Sequence, residues 1–226
     1  QVKEILSIKD ESNHKLTILH WAGQKGYHKI FEVFLNPEVI EALGAETVKA
    51  VRDLNPKTTI ETLIPDFKGE TENIDRIIEV SPEVVSHNLE TVRRLTREVR
   101  VQAKYDRSLD VLKYLKDNGI NRTKSGIMLG LGEEKHEVLE TLNDLINVGV
   151  DIVTLGQYLQ PSKNNLTVKR FVHPDQFKVY KQFGYELGFK VVESAPLVRS
   201  SYHADEQVKL YNNYCLLYTS PSPRDS

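Results

Sequence analysis

From about residue 46 to 196, short apolar, β-rich runs alternate with segments whose apolar positions recur at helical spacing. The runs Thr58–Pro65 (TTIETLIP), Glu83–Leu89 (EVVSHNL), Lys124–Leu131 (KSGIMLGL), Ile152–Pro161 (IVTLGQYLQP) and Phe189–Pro196 (FKVVESAP) predict five strands. Several are apolar on both faces, as strands buried in a parallel sheet must be. Between them, Leu109, Leu112 and Leu115 predict a helix closed by Gly119. Val138, Leu139, Leu142, Leu145 and Ile146 predict another ended by Gly149, where a left-handed residue closes the last turn. A third, carrying Phe177, Tyr180, Phe183 and Leu187, is expected to start on Asp175 as its cap and to stop at Gly188. A βαβαβαβαβ ladder with crossovers of this length implies parallel strands with helices outside. The fold class is therefore α/β: an incomplete, partial TIM-type parallel βα barrel, or an open sheet, of five or six strands instead of eight. Ligand chemistry belongs at the carboxyl ends of such strands.

The two ends break this rhythm. Thr17–Leu35 (TILHWAGQKGYHKIFEVFL) resembles an ankyrin repeat through Thr17, Leu19, His20 and Ala22, with Ile18 where that pattern has proline. One such repeat cannot bury its own apolar face; a capped amphipathic helical hairpin fits the same residues. Residues 1–40 are expected to be a short α-helical segment foreign to the rest of the chain. Residues 44–213 form the α/β domain. The tail 214–226 is expected to be disordered: CLLYTSPSPRDS (Cys215–Ser226) has no helical or strand period and resembles a translated sequencing adapter.

Composition narrows the function classes. The 226 residues carry a net charge of −2, with 39% hydrophobic and 27% charged residues, which points to neither nucleic acid nor membrane. No apolar run spans a bilayer and no secretory layout opens the chain, so a cytoplasmic protein is expected. The single cysteine, Cys215, excludes an internal disulfide and any multi-cysteine metal site within this sequence. The seven histidines show no zinc-ligand spacing.

Three segments can carry chemistry. Gly126–Glu133 (GIMLGLGE) follows a strand and opens a helix; its glycines admit a flat ligand, although most glycine-rich strand ends are only turns. In Ser86–Thr91 (SHNLET), Asn88 and Glu90 lie two apart and would share one side of a strand. An amide with a carboxylate suits a vicinal diol, and Asn88 as a helix cap is the open alternative. Arg199–Ala204 (RSSYHA) is a polar loop or a solvated turn, and no elbow or acid partner makes its serines a hydrolase triad. Arg93, Arg94, Arg97, Arg100, Lys104 and Arg107 form a basic run without interleaved aromatics, expected to be a solvated helix face.

Seven segments in order, Thr58–Gly69, Ser86–Val92, Tyr105–Leu112, Thr123–Glu133, Leu155–Ser162, Arg170–Phe177 and Val198–Gln207, closely resemble the lipoyl synthase family of radical S-adenosylmethionine enzymes, over roughly residues 44–210. Val101, Thr167 and Ala195 depart from that pattern, which has Pro, Pro and Gly there. The resemblance implies two 4Fe–4S clusters and S-adenosylmethionine as cofactors. It implies insertion of two sulfurs at C6 and C8 of an octanoyl group on a carrier domain, the E2 subunits of dehydrogenases or the glycine cleavage H protein. By the same resemblance Asn88 and Glu90 hold the ribose of S-adenosylmethionine. Gly126, Gly130 and Glu133 lie beside its adenine, and Lys124 and Gln157 face the same mouth. Ser201 is the oxygen ligand of the second cluster, with Arg199 and Ser200 shaping its pocket. No residue of this chain is assigned as catalytic. The family's six cluster cysteines have no counterpart here, so an inactive polypeptide comprising the family's C-terminal two-thirds is expected. Two other readings compete: a non-catalytic interaction module built from the ankyrin-like arm and the barrel remnant, and an aldolase-like barrel using Lys124 in an apolar setting.

Overall fold

The computed structural model describes residues 37–56 and 59–200. The chain divides into two compact units, residues 1–58 and 59–226. The described part of the first is a helix, α1 (Pro37–Leu54). The ankyrin-like residues Thr17–Leu35, Ser201 and the tail 214–226 lie outside the described residues.

The second unit contains β1 (Glu61–Leu63), α2 (Thr71–Glu79), β2 (Val84–Ser86), α3 (Thr96–Val99), α4 (Tyr105–Asp117), β3 (Thr123–Leu129), α5 (Lys135–Asn147), β4 (Ile152–Gln157), α6 (Pro174–Leu187) and β5 (Val191–Ser194). The five strands form one sheet in sequence order, every neighbouring pair parallel. All five fall inside the expected runs except for Thr123, one residue before the third. The longest pairing joins β3 to β4, from Lys124 opposite Ile152 to Leu129 opposite Gln157.

Alternation along the strands sorts the two faces. Ile127, Leu129, Val153, Leu155 and Val192 pack with Leu112, Val138, Leu142, Leu145, Phe177 and Tyr180 in the main core under the helices. Removing Phe177 or Tyr180 from water contributes about 2–3 kcal/mol each. The opposite face carries Val84, Ile152 and Val191 as a small apolar cluster, then Lys124, Gly126 and Thr154 toward the strand ends. The three expected leucine and aromatic stripes become α4, α5 and α6, and Gly119, Gly149 and Gly188 follow them at positive φ.

Three expectations need correction. The cap of α6 is His173, whose Nδ1 accepts from the amide of Asp175 at 3.3 Å; Pro174 occupies the first turn and Asp175 pairs with Lys178. Proline fits the first helical position because its missing N–H has no partner there anyway, so the cap is the residue before it. Asn88 caps no helix: the next helical turn begins at Arg93, with Val92 as its cap. Nor is the basic run one solvated face. It is broken into a 3₁₀ turn (Arg93–Leu95), the four-residue α3 and the start of α4, so its cations point to different partners.

Candidate functional site

Strand β2 ends at Ser86, and the chain leaves the ladder before Asn88. It returns for a single parallel bridge, Glu90 opposite Ile127. The Glu90 amide donates to the Gly126 carbonyl at 2.9 Å, and its carbonyl accepts from Met128 at 2.8 Å. Glu90 has φ +66, a left-handed conformation uncommon for a residue with a Cβ. Asn88 and Glu90 are therefore presented by a turn against β3, not by a continuing strand.

The turn leaves polar atoms unmet. Asn88 Oδ1 is buried with no hydrogen-bond partner, and so are His87 Nε2 and Thr91 Oγ1. A native interior satisfies nearly all such groups, so an orphan is informative. Beside Asn88 lies Gly126, where an added Cβ would sit 2.6 Å from Thr154 Oγ1 and 3.1 Å from Asn88 Oδ1. Glycine here lets the Thr154 and Asn88 side chains pack against the β3 backbone more closely than any Cβ would allow. His87 Nδ1 meets the Ile64 carbonyl at 2.9 Å, so that nitrogen carries the proton and Nε2 is a bare acceptor. Burial holds the imidazole neutral, lowering its pKa to about 4.

Behind this turn stands Arg100, which sequence reasoning had placed on a solvated face. Its Nη1 donates to the Asn88 carbonyl at 2.8 Å and to Ser108 Oγ at 3.3 Å, both neutral groups. Burial lowers its pKa, and the nearby charge of Glu90 opposes that shift. Neither its spacing nor its neighbours in the sequence set it apart from the other arginines.

The second wall is the turn after β3. Glu133 is buried, and its carboxylate accepts from the amides of Gly130 at 2.8 Å and Leu131 at 2.9 Å. Arg170 approaches the same carboxylate at 3.3 Å. Gln157 is equally committed: its Nε2 donates to the carbonyls of Tyr158 and Arg170 at 3.0 and 3.1 Å, while Oε1 accepts from Val172 at 2.9 Å. Gly130 has φ +105, and a Cβ there would lie 2.2 Å from Gln157 Nε2 and 2.5 Å from the Arg170 carbonyl. Glu133 and Gln157, expected as contacts, spend their polar atoms shaping this wall. The first turn of α5 is likewise occupied by its own side chains, since Glu134 and Glu137 close a capping box on it.

Lys124 is fully buried, with its ammonium 2.9 Å from Glu61, which also accepts from Ser86 Oγ at 2.8 Å. It sits two residues nearer the amino end than Gly126 and forms the polar floor. An ion-paired lysine contradicts the apolar setting the aldolase-like reading needs. Arg199 reaches the end of β4: its Nη1 lies 3.3 Å from the place of an added Cβ on Gly156, and the Val198 carbonyl lies 2.2 Å from that place. Ser200 follows, half-buried. The structure thus gathers Asn88, Glu90, Gly126, Gly130, Glu133, Gln157 and Arg199 at the carboxyl ends of neighbouring strands. To these it adds Thr154, Arg100, His87 and Arg170. Thr154 carries a signal as the one hydroxyl in the apolar run IVTLG, and His87 and Arg170 lie inside segments already singled out.

A parallel βα sheet with glycine-bearing turns at its carboxyl edge agrees with the family pattern found in the sequence. The chain belongs to the radical SAM superfamily, which matches residues 23–145. Within that class it is similar to lipoyl synthases. It is 71% identical over 164 residues to the lipoyl synthase of Christiangramia forsetii, covering 73% of this chain and 56% of that protein. It is 67% identical over 166 residues to the mitochondrial lipoyl synthase of Nematostella vectensis, covering 74% and 57%. The chain thus spans somewhat over half the length of these curated relatives. Among solved structures, methylornithine synthase (PylB) superposes with a TM-score of 0.49 at 15% identity, over 85% of this chain and 66% of that one. No helix among the described residues is long and apolar enough to cross a membrane.

Proposed function

We propose that residues 59–200 are the nucleoside-binding part of a lipoyl synthase. Asn88 and Glu90 hold the ribose of S-adenosylmethionine, and Gly126, against which Asn88 packs, lies beside the adenosyl group. The Gly130–Glu133 turn, braced by Gln157, lines the base. Arg100, behind the turn, holds the Asn88 carbonyl and so fixes the ribose wall. The observation that carries this reading is the buried, unpartnered Asn88 Oδ1, packed beside Gly126 at the end of β3. An acceptor in that position receives a ribose hydroxyl, and the neighbouring carboxylate receives the second hydroxyl of the diol.

The reaction proposed for the whole protein, from its relatives, is insertion of two sulfurs at C6 and C8 of an octanoyl group on a lipoyl-carrier domain. When bound and given one electron by a 4Fe–4S cluster, S-adenosylmethionine would supply a 5′-deoxyadenosyl radical and leave methionine. The described residues contain no cysteine and do not fit an iron–sulfur cluster; what they fit is the nucleoside. Ser201 is proposed, by resemblance, as the oxygen ligand of the second cluster, beside Arg199 and Ser200.

Competition tests the ribose assignment. Labelled S-adenosylmethionine bound by the full chain is expected to be displaced by adenosine and not by 2′,3′-dideoxyadenosine. Equal displacement by both, or no binding at all, would refute it.

A further inference from the structure

The Asn88–Glu90 turn and the Gly130–Glu133 turn, the ribose and base walls of the proposed site, are joined by more than the sheet. Arg93 and Arg94 follow Glu90 by three and four residues, and each reaches across to other elements. Arg94 grips Glu137 on α5 with both arms of its guanidinium, Nε to Oε1 at 2.7 Å and Nη2 to Oε2 at 2.7 Å. The same Nη2 donates to the Gly132 carbonyl at 2.9 Å. Glu137 Oε2 also accepts from the Glu134 amide at 2.8 Å. Arg93 pairs with Asp106 of α4 and Asp144 of α5, and lies 4.2 Å over the ring of Tyr105. Tyr105 in turn donates to Asp144 at 2.9 Å.

Exposed ion pairs usually contribute little, because water and side-chain freedom offset them. The Arg94 pair differs in geometry. Its acid is only 13% exposed, the contact is a two-pronged fork, and a backbone carbonyl of the glycine turn fills the third position. The fork holds the Glu137 carboxyl far below the usual range, at about 2. Gly132 has φ +108, and it directly precedes Glu133, which orders the rest of that turn. Arg94 therefore connects the turn that carries Asn88 and Glu90 to the turn that carries Gly130 and Glu133, at their outer edge.

We infer that Arg94 is a positioning residue whose fork to Glu137 and Gly132 sets the spacing between the ribose wall and the base wall. It does so without touching the ligand. The inference rests on the nucleoside reading above and adds a residue to it. A ligand spanning both walls gains affinity only if both are at the right separation, and a shift of a fraction of an ångström is costly in a positioned site. Lysine does not replace the fork, since its compact ammonium lacks the planar pair of N–H groups that meets both carboxylate oxygens while holding the Gly132 carbonyl.

The test is a double-variant cycle on the full chain, with the affinity for S-adenosylmethionine measured calorimetrically well below the melting range. Arg94→Ala, Arg94→Lys and Glu137→Gln are each expected to weaken binding about tenfold, and Arg94→Ala with Glu137→Gln together no more than either alone. The thermal midpoints are expected to fall by no more than about 2–4 °C, so the affinity loss is not unfolding. Unchanged affinity in Arg94→Lys, or losses that simply add, would overturn the inference while leaving the nucleoside reading standing. An unaltered chain that binds nothing would overturn both.

Discussion

Ser86–Thr91 and Gly130–Glu133 lie at the carboxyl ends of adjacent strands and treat their polar atoms in opposite ways. The glycine turn is saturated: both carboxylate oxygens of Glu133 accept backbone amides, and every polar atom of nearby Gln157 is bonded. The hexapeptide is not, since His87, Asn88 and Thr91 each keep a buried atom without a partner. Both segments hold the residue types that recognise a nucleoside. In the reading proposed above, the unsatisfied one contacts the ligand and the saturated one walls it. Residue type and location at a strand end are thus insufficient to assign a contact, and the balance of hydrogen bonds decides.

If the glycine turn is a wall, damage to it appears first in stability. Gly130→Ala is expected to have the largest effect, about 4 kcal/mol. A Cβ at φ +105 would strain the backbone and strike both Gln157 and the Arg170 carbonyl. Chemical denaturation of the full chain measures it, and a loss under about 1 kcal/mol would mean the turn is looser than its contacts indicate. Gln157→Ala comes next at about 3 kcal/mol, because it strands the Arg170 carbonyl and the Val172 amide in the interior. S-adenosylmethionine affinity should fall with it and stay reduced where the variant is fully folded, because the base wall loses its brace.

The hexapeptide is sharpened by pH. The folded His87 titrates at about 4, against an ordinary 6.5, because burial excludes its charged form. The unfolded chain then binds the extra proton between these two values, so the stability present above pH 6.5 is lost as pH falls toward 4. The loss amounts to about 2–3 kcal/mol across that window. Denaturation midpoints of the full chain should decline over this range and those of His87→Gln should stay flatter; parallel profiles would show that the imidazole is not held neutral.

Much of the fold was legible in the sequence, because strands buried on both faces and helices with one apolar stripe carry their periods locally. Less of the site was. Asn88, Glu90 and the glycines stood out as residue types. The strand was expected to run on through Leu89, whereas the chain turns out of the ladder after Ser86 and passes through a left-handed Glu90. The basic run misled because its partners are remote: Asp144 lies 51 residues from Arg93, Glu137 lies 43 from Arg94, and Asp66 lies 41 from Arg107. No local pattern distinguishes an arginine that grips a distant acid from one in water. Orphaned acceptors are equally invisible, since they are defined by what the folded neighbours fail to supply.

The most direct measurement is Asn88→Ala in the full chain, followed by denaturation and by S-adenosylmethionine binding. If the orphaned amide oxygen is held for the ligand, stability changes by less than about 0.5 kcal/mol, since no hydrogen bond of that atom is lost, while affinity falls at least about tenfold. A variant that binds as tightly as the unaltered chain, or one that unfolds instead of losing binding, would contradict the assignment.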